Sequence, residues 1–258
     1  MKVGKQHEEH LGDLSTVDQM LPSHRFLLAL TLLLLAVVAT GCTKLLAPQP
    51  HCTGENLDLC LPAQTLLEPL ASDTCEGTEK RLCIVPLGQV SPALVKHLAD
   101  HYRSEYGLTV VVSTPAAIPR DLVNREREQI EVDGLLRLMA SVFPDTYADP
   151  DTVMIGLTPV DLYWLGKPNW RYAFGVRGDR EESIALISSA RMDPQIYGLP
   201  ENNELYFTRV RKMVSKYVGF LYFGLPESQD AESPMYDNIL GPADLDRMEE
   251  PLPLPATH

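Results

Sequence analysis

The chain has 258 residues, 45% of them hydrophobic and 22% charged, a globular balance that excludes a wholly disordered polymer. Its 22 Lys and Arg are outnumbered by 35 Asp and Glu, giving a net charge of −13. Such a surface repels phosphate backbones and anionic headgroups, which excludes nucleic acid as a partner.

Residues 1–19 are polar and acidic, and Met20, just ahead of Arg25, is a second candidate start of translation. An uncharged apolar run follows at 26–38, FLLALTLLLLAVV, preceded by His24-Arg25 and closed by Ala39-Thr40-Gly41-Cys42. The run is shorter than the roughly 20 residues that span a bilayer, and a basic flank, an apolar core and small residues before a cut are the parts of a signal peptide. With Cys42 placed directly after them, the segment resembles a bacterial lipobox that has Ala39 where Leu is preferred. Residues 1–41 are then an N-terminal extension and signal peptide, and Cys42 is the lipidated residue tethering an exported envelope lipoprotein to its membrane.

Cys52, Cys60, Cys75 and Cys83 form an even set crowded into one short stretch that runs into the start of the main domain. In an oxidising compartment they read as two disulfides, with all three pairings open. A four-Cys zinc site would bring them in close pairs such as C-x2-C, which they are not. Residues 42–80 are read as a tether and a disulfide-stapled lead-in, and 81–258 as the folded domain.

Within that domain Leu82–Leu87 (LCIVPL) is a buried strand closed by a breaker, and Ser91–Tyr106 is a helix with its stripe at Leu94, Val95, Leu98 and Tyr102. Gly107 ends that helix, and Leu108–Ser113 is a second strand. Arg120–Phe143, rich in Arg, Glu and Leu, reads as the longest helix, and Val153–Thr158 as a third strand. Strand alternating with helix suggests a partly parallel core. Tyr172–Val176 and Ser183–Ser189 read as a hairpin or edge pair, Glu204–Phe223 as a second long helix, and the Pro-rich remainder as irregular.

Five phrases then stand in order: VPLG at Val85–Gly88, IGLTPVDLY at Ile155–Tyr163, FGVRG at Phe174–Gly178, SSARM at Ser188–Met192 and RVRK at Arg209–Lys212. With them, residues 81–248 resemble the archaemetzincins, a family of zinc metalloproteases of the metzincin type. The resemblance implies an α+β fold, a mixed β-sheet with two long helices, the second being the former zinc-binding helix. Metzincins carry H-E-x-x-H-x-x-G-x-x-H on that helix, two His one turn apart gripping zinc and a Glu acting as base on its water, followed by a Met-turn.

Carried over position by position, Lys216 stands at the first His, Tyr217 at the catalytic Glu, Phe220 at the second His and Glu227 near the third ligand. The family's Cys-x4-Cys-x-Met, whose cysteines hold a second zinc, is matched by Ser228-x4-Ser233-x-Met235, which keeps only the Met-turn Met235. No cysteine follows Cys83, so the family's downstream Cys pair is missing too. The resemblance implies a degenerate member with no metal or other cofactor and no catalytic residue. Met213, Val214, Tyr217, Val218, Phe220, Leu221, Tyr222 and Phe223 cover most of the helix circumference, predicting burial on nearly all sides, with Tyr217 and Phe220 filling the metal's space.

Other candidates have plainer readings. His97-Leu-Ala-Asp100-His101 puts two His at i,i+4, an inverted zinc motif, but on the solvated flank of the Leu94–Leu98 stripe. Asp161 and Tyr163 are turn or cap residues, Asp244 and Asp246 mark a helix start, and Arg180-Glu181-Glu182 is a solvated turn. The leading expectation is a membrane-anchored, zinc-free pseudo-metalloprotease that binds a peptide or protein in the former substrate cleft, along an edge strand resembling Ser183–Ser189. The alternatives are an active peptidase with a non-standard site drawn from Glu227, Asp230, His97 and His101, and a purely structural lipoprotein.

Overall fold

A computed structural model of the chain describes residues 51–63, 75–178 and 183–254. The signal and lipidation motif at Cys42, the alternative start at Met20 and the Arg180-Glu181-Glu182 turn lie outside the described residues. Among the described residues no helix is long and apolar enough to cross a membrane.

The helices are α1 (Leu57–Cys60), α2 (Pro92–Tyr106), α3 (Val132–Val142), α4 (Pro144–Ala148), α5 (Asn203–Leu221) and α6 (Pro242–Arg247). The strands are β1 (Arg81–Pro86), β2 (Thr109–Val112), β3 (Val123–Asn124), β4 (Gln129–Glu131), β5 (Thr152–Thr158), β6 (Asp161–Tyr163), β7 (Gly175–Arg177) and β8 (Ile184–Ser188). The main sheet runs β2-β1-β5-β8-β7, parallel throughout except for the antiparallel β7–β8 pair at its edge. This is a mixed sheet with several helices, the α+β organisation expected from the sequence.

Every residue of β1 and β5 is buried, as their unbroken apolar runs require of central strands covered on both faces. Alternate side chains go to opposite cores. Leu82, Ile84, Val153 and Ile155 pack with α2 and α5, whereas Cys83, Val85 and Met154 pack with α3 and the stapled segment. Helix α2 follows its sequence signals closely. The Ser91 hydroxyl accepts from the Leu94 amide at 3.5 Å, Pro92 opens the first turn, and Gly107 closes it with φ +63°.

The long helix expected over Arg120–Phe143 is not formed; only Val132–Val142 is α-helical. Its first half makes β3 and β4, an antiparallel pair turned around Glu128 at φ +54°, and β4 pairs in parallel with β6 in a second, three-stranded sheet. The charged run at 125–128 has helical propensity, but the Asn124 side chain accepts from the Arg127 amide at 3.1 Å and holds a turn instead. Tertiary pairing with β6 overrides the local preference.

Both disulfides form, Cys52–Cys60 and Cys75–Cys83, which decides among the three pairings. Cysteines 60, 75 and 83 are fully buried in the second core. The Cys60 carbonyl accepts from the Gln89 amide at 2.8 Å and the Leu61 carbonyl from Ile118 at 2.7 Å. Buried Arg81 donates to the Cys75 carbonyl at 2.5 Å and the Glu79 carbonyl at 2.7 Å, and pairs with Asp149 ahead of β5. The described parts of the stapled segment thus contribute to the core.

Candidate functional site: the cleft between α5 and the sheet edge

Helix α5 starts where Asn202 caps it, its side chain accepting from the Leu205 amide at 3.0 Å. The phrase RVRK supplies its tertiary anchors. Arg209 donates twice to the Asp246 carboxylate, at 2.7 Å each, and once to the Met192 carbonyl at 3.0 Å. Lys212 donates to the Leu245 carbonyl at 3.0 Å, satisfying the C-terminal end of α6. Asp246 is therefore the clamp of α5, while Asp244 is the helix-start residue expected, accepting from the Leu240 and Gly241 amides at 2.9 and 3.1 Å.

Burial is continuous from Lys212 to Gly219. Beyond it Phe220, Leu221, Tyr222 and Phe223 are only half-buried, so the last turn is not enclosed on all sides as its composition suggested. A side chain on Gly219 would put its Cβ 2.5 Å from the sulfur of Met235, which is buried beneath the helix. The loop carrying Met235 is closed by hydrogen bonds. The Ser228 amide donates to the Met235 carbonyl at 2.9 Å and Asp237 to the Ser228 carbonyl at 3.1 Å. The Ser228 hydroxyl accepts from Asp230 and that of Ser233 from Met235, both at 3.1 Å, two serine turns in the positions matched to cysteines.

Between α5 and β7 lies a cavity of about 870 Å3. β7, not Ser183–Ser189, forms the edge. β8 is enclosed between β5 and β7, because the hairpin places its first arm outermost. Gly175 allows α5 to approach this strand, since a Cβ there would stand 2.6 Å from the Tyr217 ring. Lys216, Tyr217, Phe220 and Glu227 all line the cavity. The Arg177 guanidinium sits 4.8 Å over the Phe220 ring and 3.5 Å from the Glu227 carboxylate. The opposite wall carries Trp164 and Trp170, 6.0 Å apart edge to face, and Tyr172, whose hydroxyl donates to the Leu240 carbonyl at 2.6 Å. Sequence reasoning passed over this wall. The signal available was that both tryptophans of the chain fall within one short polar stretch.

Burial drives the Lys216 amine down to about 8, against the opposing pull of Glu227 and Asp237. The same desolvation raises the Tyr217 phenol far above its ordinary value. His97 and His101 lie elsewhere, against α5 near its middle, where His97 meets Arg211 at 2.5 Å and the Phe207 ring at 5.3 Å. Burial and Arg211 push both imidazoles down. Asp161 is locked by Gln129 at 2.8 Å and by both arms of Arg191 at 2.8 and 2.7 Å, a structural network. Tyr163 stacks beneath Arg127. Glu227, Asp230, His97 and His101 are not gathered into one group, and among the described residues no three His, Cys, Asp or Glu side chains come together to hold a metal.

No protein-family model matches the chain. The archaemetzincin of Methanocaldococcus jannaschii is 28% identical over 139 residues, covering 54% of this chain and 70% of that protein. The archaemetzincin of Thermococcus kodakarensis is 29% identical over 160 residues, covering 60% and 82%. Among solved structures, a zinc-dependent peptidase from Methanocorpusculum labreanum aligns with a TM-score of 0.55 at 19% identity, covering 66% of this chain and 95% of that one. The archaemetzincin from Archaeoglobus fulgidus, complexed with malonate, aligns with a TM-score of 0.51 at 23% identity, over 65% and 92%. The fold is that of the zinc-dependent peptidases. In sequence the chain is similar to the archaemetzincins, and it shares their fold.

The side chains of this cleft do not fit a zinc ion. At the positions matched to the zinc site an ammonium, a phenol and a phenyl ring stand with one carboxylate, Glu227, which is engaged by Arg177, and the cleft's other carboxylate, Asp237, accepts from Gln229. Zinc requires deprotonated sulfur, imidazole or carboxylate ligands in a close tetrahedral set.

Proposed function

We propose that this protein is a zinc-free, non-catalytic relative of the archaemetzincins that binds a peptide or protein segment, exported and tethered to a bacterial envelope membrane through lipid on Cys42. The observation that carries the binding role is the cleft itself. A cavity of about 870 Å3 lies open beside a sheet edge, over a site with no zinc-ligating set. β7 is the outermost strand, and an extended segment laid beside it would gain backbone hydrogen bonds while its side chains met the aromatic wall. Lipid attachment rests on the small residues before Cys42, and export agrees with the two disulfides, which persist in oxidising compartments.

The test is the metal content of the full-length protein, purified in detergent without a metal-binding tag, with hydrolysis of mixed peptides assayed on the same sample. Zinc below about a tenth of an equivalent, with no cleavage, is expected from this donor set. Stoichiometric zinc that survives dialysis, or cleavage abolished by a chelator, would replace the binding role with a peptidase built on a non-standard site. Mass analysis of the mature chain, finding a diacylglyceryl group on Cys42 or a bare N-terminal extension, decides the anchor.

A further inference from the structure

Two donors in the cleft have no acceptor among the described residues. Lys216 is 6% exposed and Tyr217 7% exposed, and both line the cavity. Neither the ammonium nor the phenol hydroxyl makes a hydrogen bond or ion pair with any described residue; the Lys216 amine stands 5.8 Å from the centre of the Phe220 ring. The two side chains are largely buried while their polar ends face the open cavity, so that water or a ligand must satisfy them. The carboxylates that share the cleft are already engaged: Glu227 with Arg177 at 3.5 Å, and Asp237 by the Gln229 amide at 2.7 Å.

Four cations, Lys167, Arg171, Arg177 and Lys216, line the cavity against two carboxylates, Glu227 and Asp237. In a chain of net charge −13 this is a local reversal of sign. A cleft walled by low-dielectric aromatic rings concentrates that positive field and favours an anionic ligand. The donors also stand beside the sheet edge, since a Cβ at Gly175 would lie 3.1 Å from the Tyr217 hydroxyl.

We infer that the cleft takes its peptide by a carboxylate, which accepts hydrogen bonds from the Lys216 ammonium and the Tyr217 hydroxyl while the adjoining backbone lies along β7. This rests on the peptide-binding reading above. The carboxylate is either a peptide C-terminus or an Asp or Glu side chain, and the chemistry is the same: two oxygens with only acceptor capacity meeting two donors.

Both tryptophans of the chain stand in the cleft wall, so intrinsic fluorescence reports occupancy of this site. The full-length protein in detergent is titrated with three N-acetylated hexapeptide mixtures of otherwise uncharged residues: one with a free C-terminus, one amidated, and one amidated with a central Glu. Binding about tenfold tighter or more is expected for one of the two acidic mixtures over the amidated neutral one, as a desolvated charge-assisted pair requires. Preference for the first assigns a C-terminal carboxylate, and preference for the third a side chain. Lys216→Met should erase the preference and Tyr217→Phe should narrow it severalfold, with circular dichroism melts confirming that both variants are folded.

Equal binding of all three mixtures would overturn the carboxylate anchor and leave peptide binding standing. So would a preference that survives Lys216→Met. No response to any mixture would overturn both.

Discussion

Lys216 is buried, its amine is pushed down to about 8, and among the described residues no anion lies within ion-pair distance of it. The groups that face it are Glu227 and Asp237, which favour its charge, and Arg177, which opposes it; desolvation, acting in the same sense as Arg177, outweighs the two carboxylates. Because its folded-state value lies below the ordinary 10.5, the penalty is complete below about pH 8. Between there and about 10.5 the unfolded chain binds the proton more tightly, so stability rises with pH across that window. Lys216→Met should stabilise the fold by on the order of 3 kcal/mol at pH 7, and the gain should shrink by pH 10. Denaturant melts at the two pH values measure this. A variant that is more stable and binds less well would mark Lys216 as kept for binding, the usual direction of the stability–function trade-off. The residues around it were legible only in part. The resemblance implied an ammonium in the place of an imidazole, but that its amine has no partner among the described residues depends on where Arg177, Gln229 and Asp237 fold to.

Helix α5 is held from its polar side as much as from its apolar one. Arg209 is 5% exposed and its guanidinium is satisfied by Asp246 and the Met192 carbonyl. Asp246→Ala would leave that charge buried and half-paired, so a loss of about 1.5–3 kcal/mol is expected, the value of a hydrogen bond to a charged group. Thermal melts of Asp246→Ala beside Asp244→Ala separate this clamp from simple capping, which is worth about 1 kcal/mol. A second element-scale feature is the hairpin β7–β8. Its two arms were visible in sequence as β-rich runs, yet which arm lies outermost is not a local property. It follows from β8 pairing with β5, and that contact leaves β7 as the edge. The failed helix over Arg120–Phe143 has the same cause, since β4 exists because β6 is there to pair with it.

At the scale of the whole molecule the two disulfides cross-link a segment that supplies buried side chains to one of the two cores. Each bridge joins cysteines eight residues apart, a short loop whose closure contributes on the order of 2–3 kcal/mol. Unfolding midpoints should therefore fall markedly in reductant, and the Cys52→Ser/Cys60→Ser and Cys75→Ser/Cys83→Ser pairs should each reproduce part of the fall. Intact-mass measurement after alkylation without reduction should find none of these four thiols modified. A midpoint indifferent to reductant would mean that core packing alone holds the segment.

The amino-acid sequence by itself determined the central strands, the capped helix α2, the long helix α5 and the family resemblance, because unbroken apolar runs, helical spacing and cap residues act over a few neighbours. The same resemblance implied that Lys216 and Phe220 stand where zinc ligands would be and Tyr217 where the catalytic Glu would be, a matter of residue identity alone. The disulfide pairing, the second sheet, the outermost strand and the two cleft donors without an acceptor among the described residues were decided only by tertiary structure. Each depends on which distant groups come together, and a single chain read in order carries no distance between residues far apart along it.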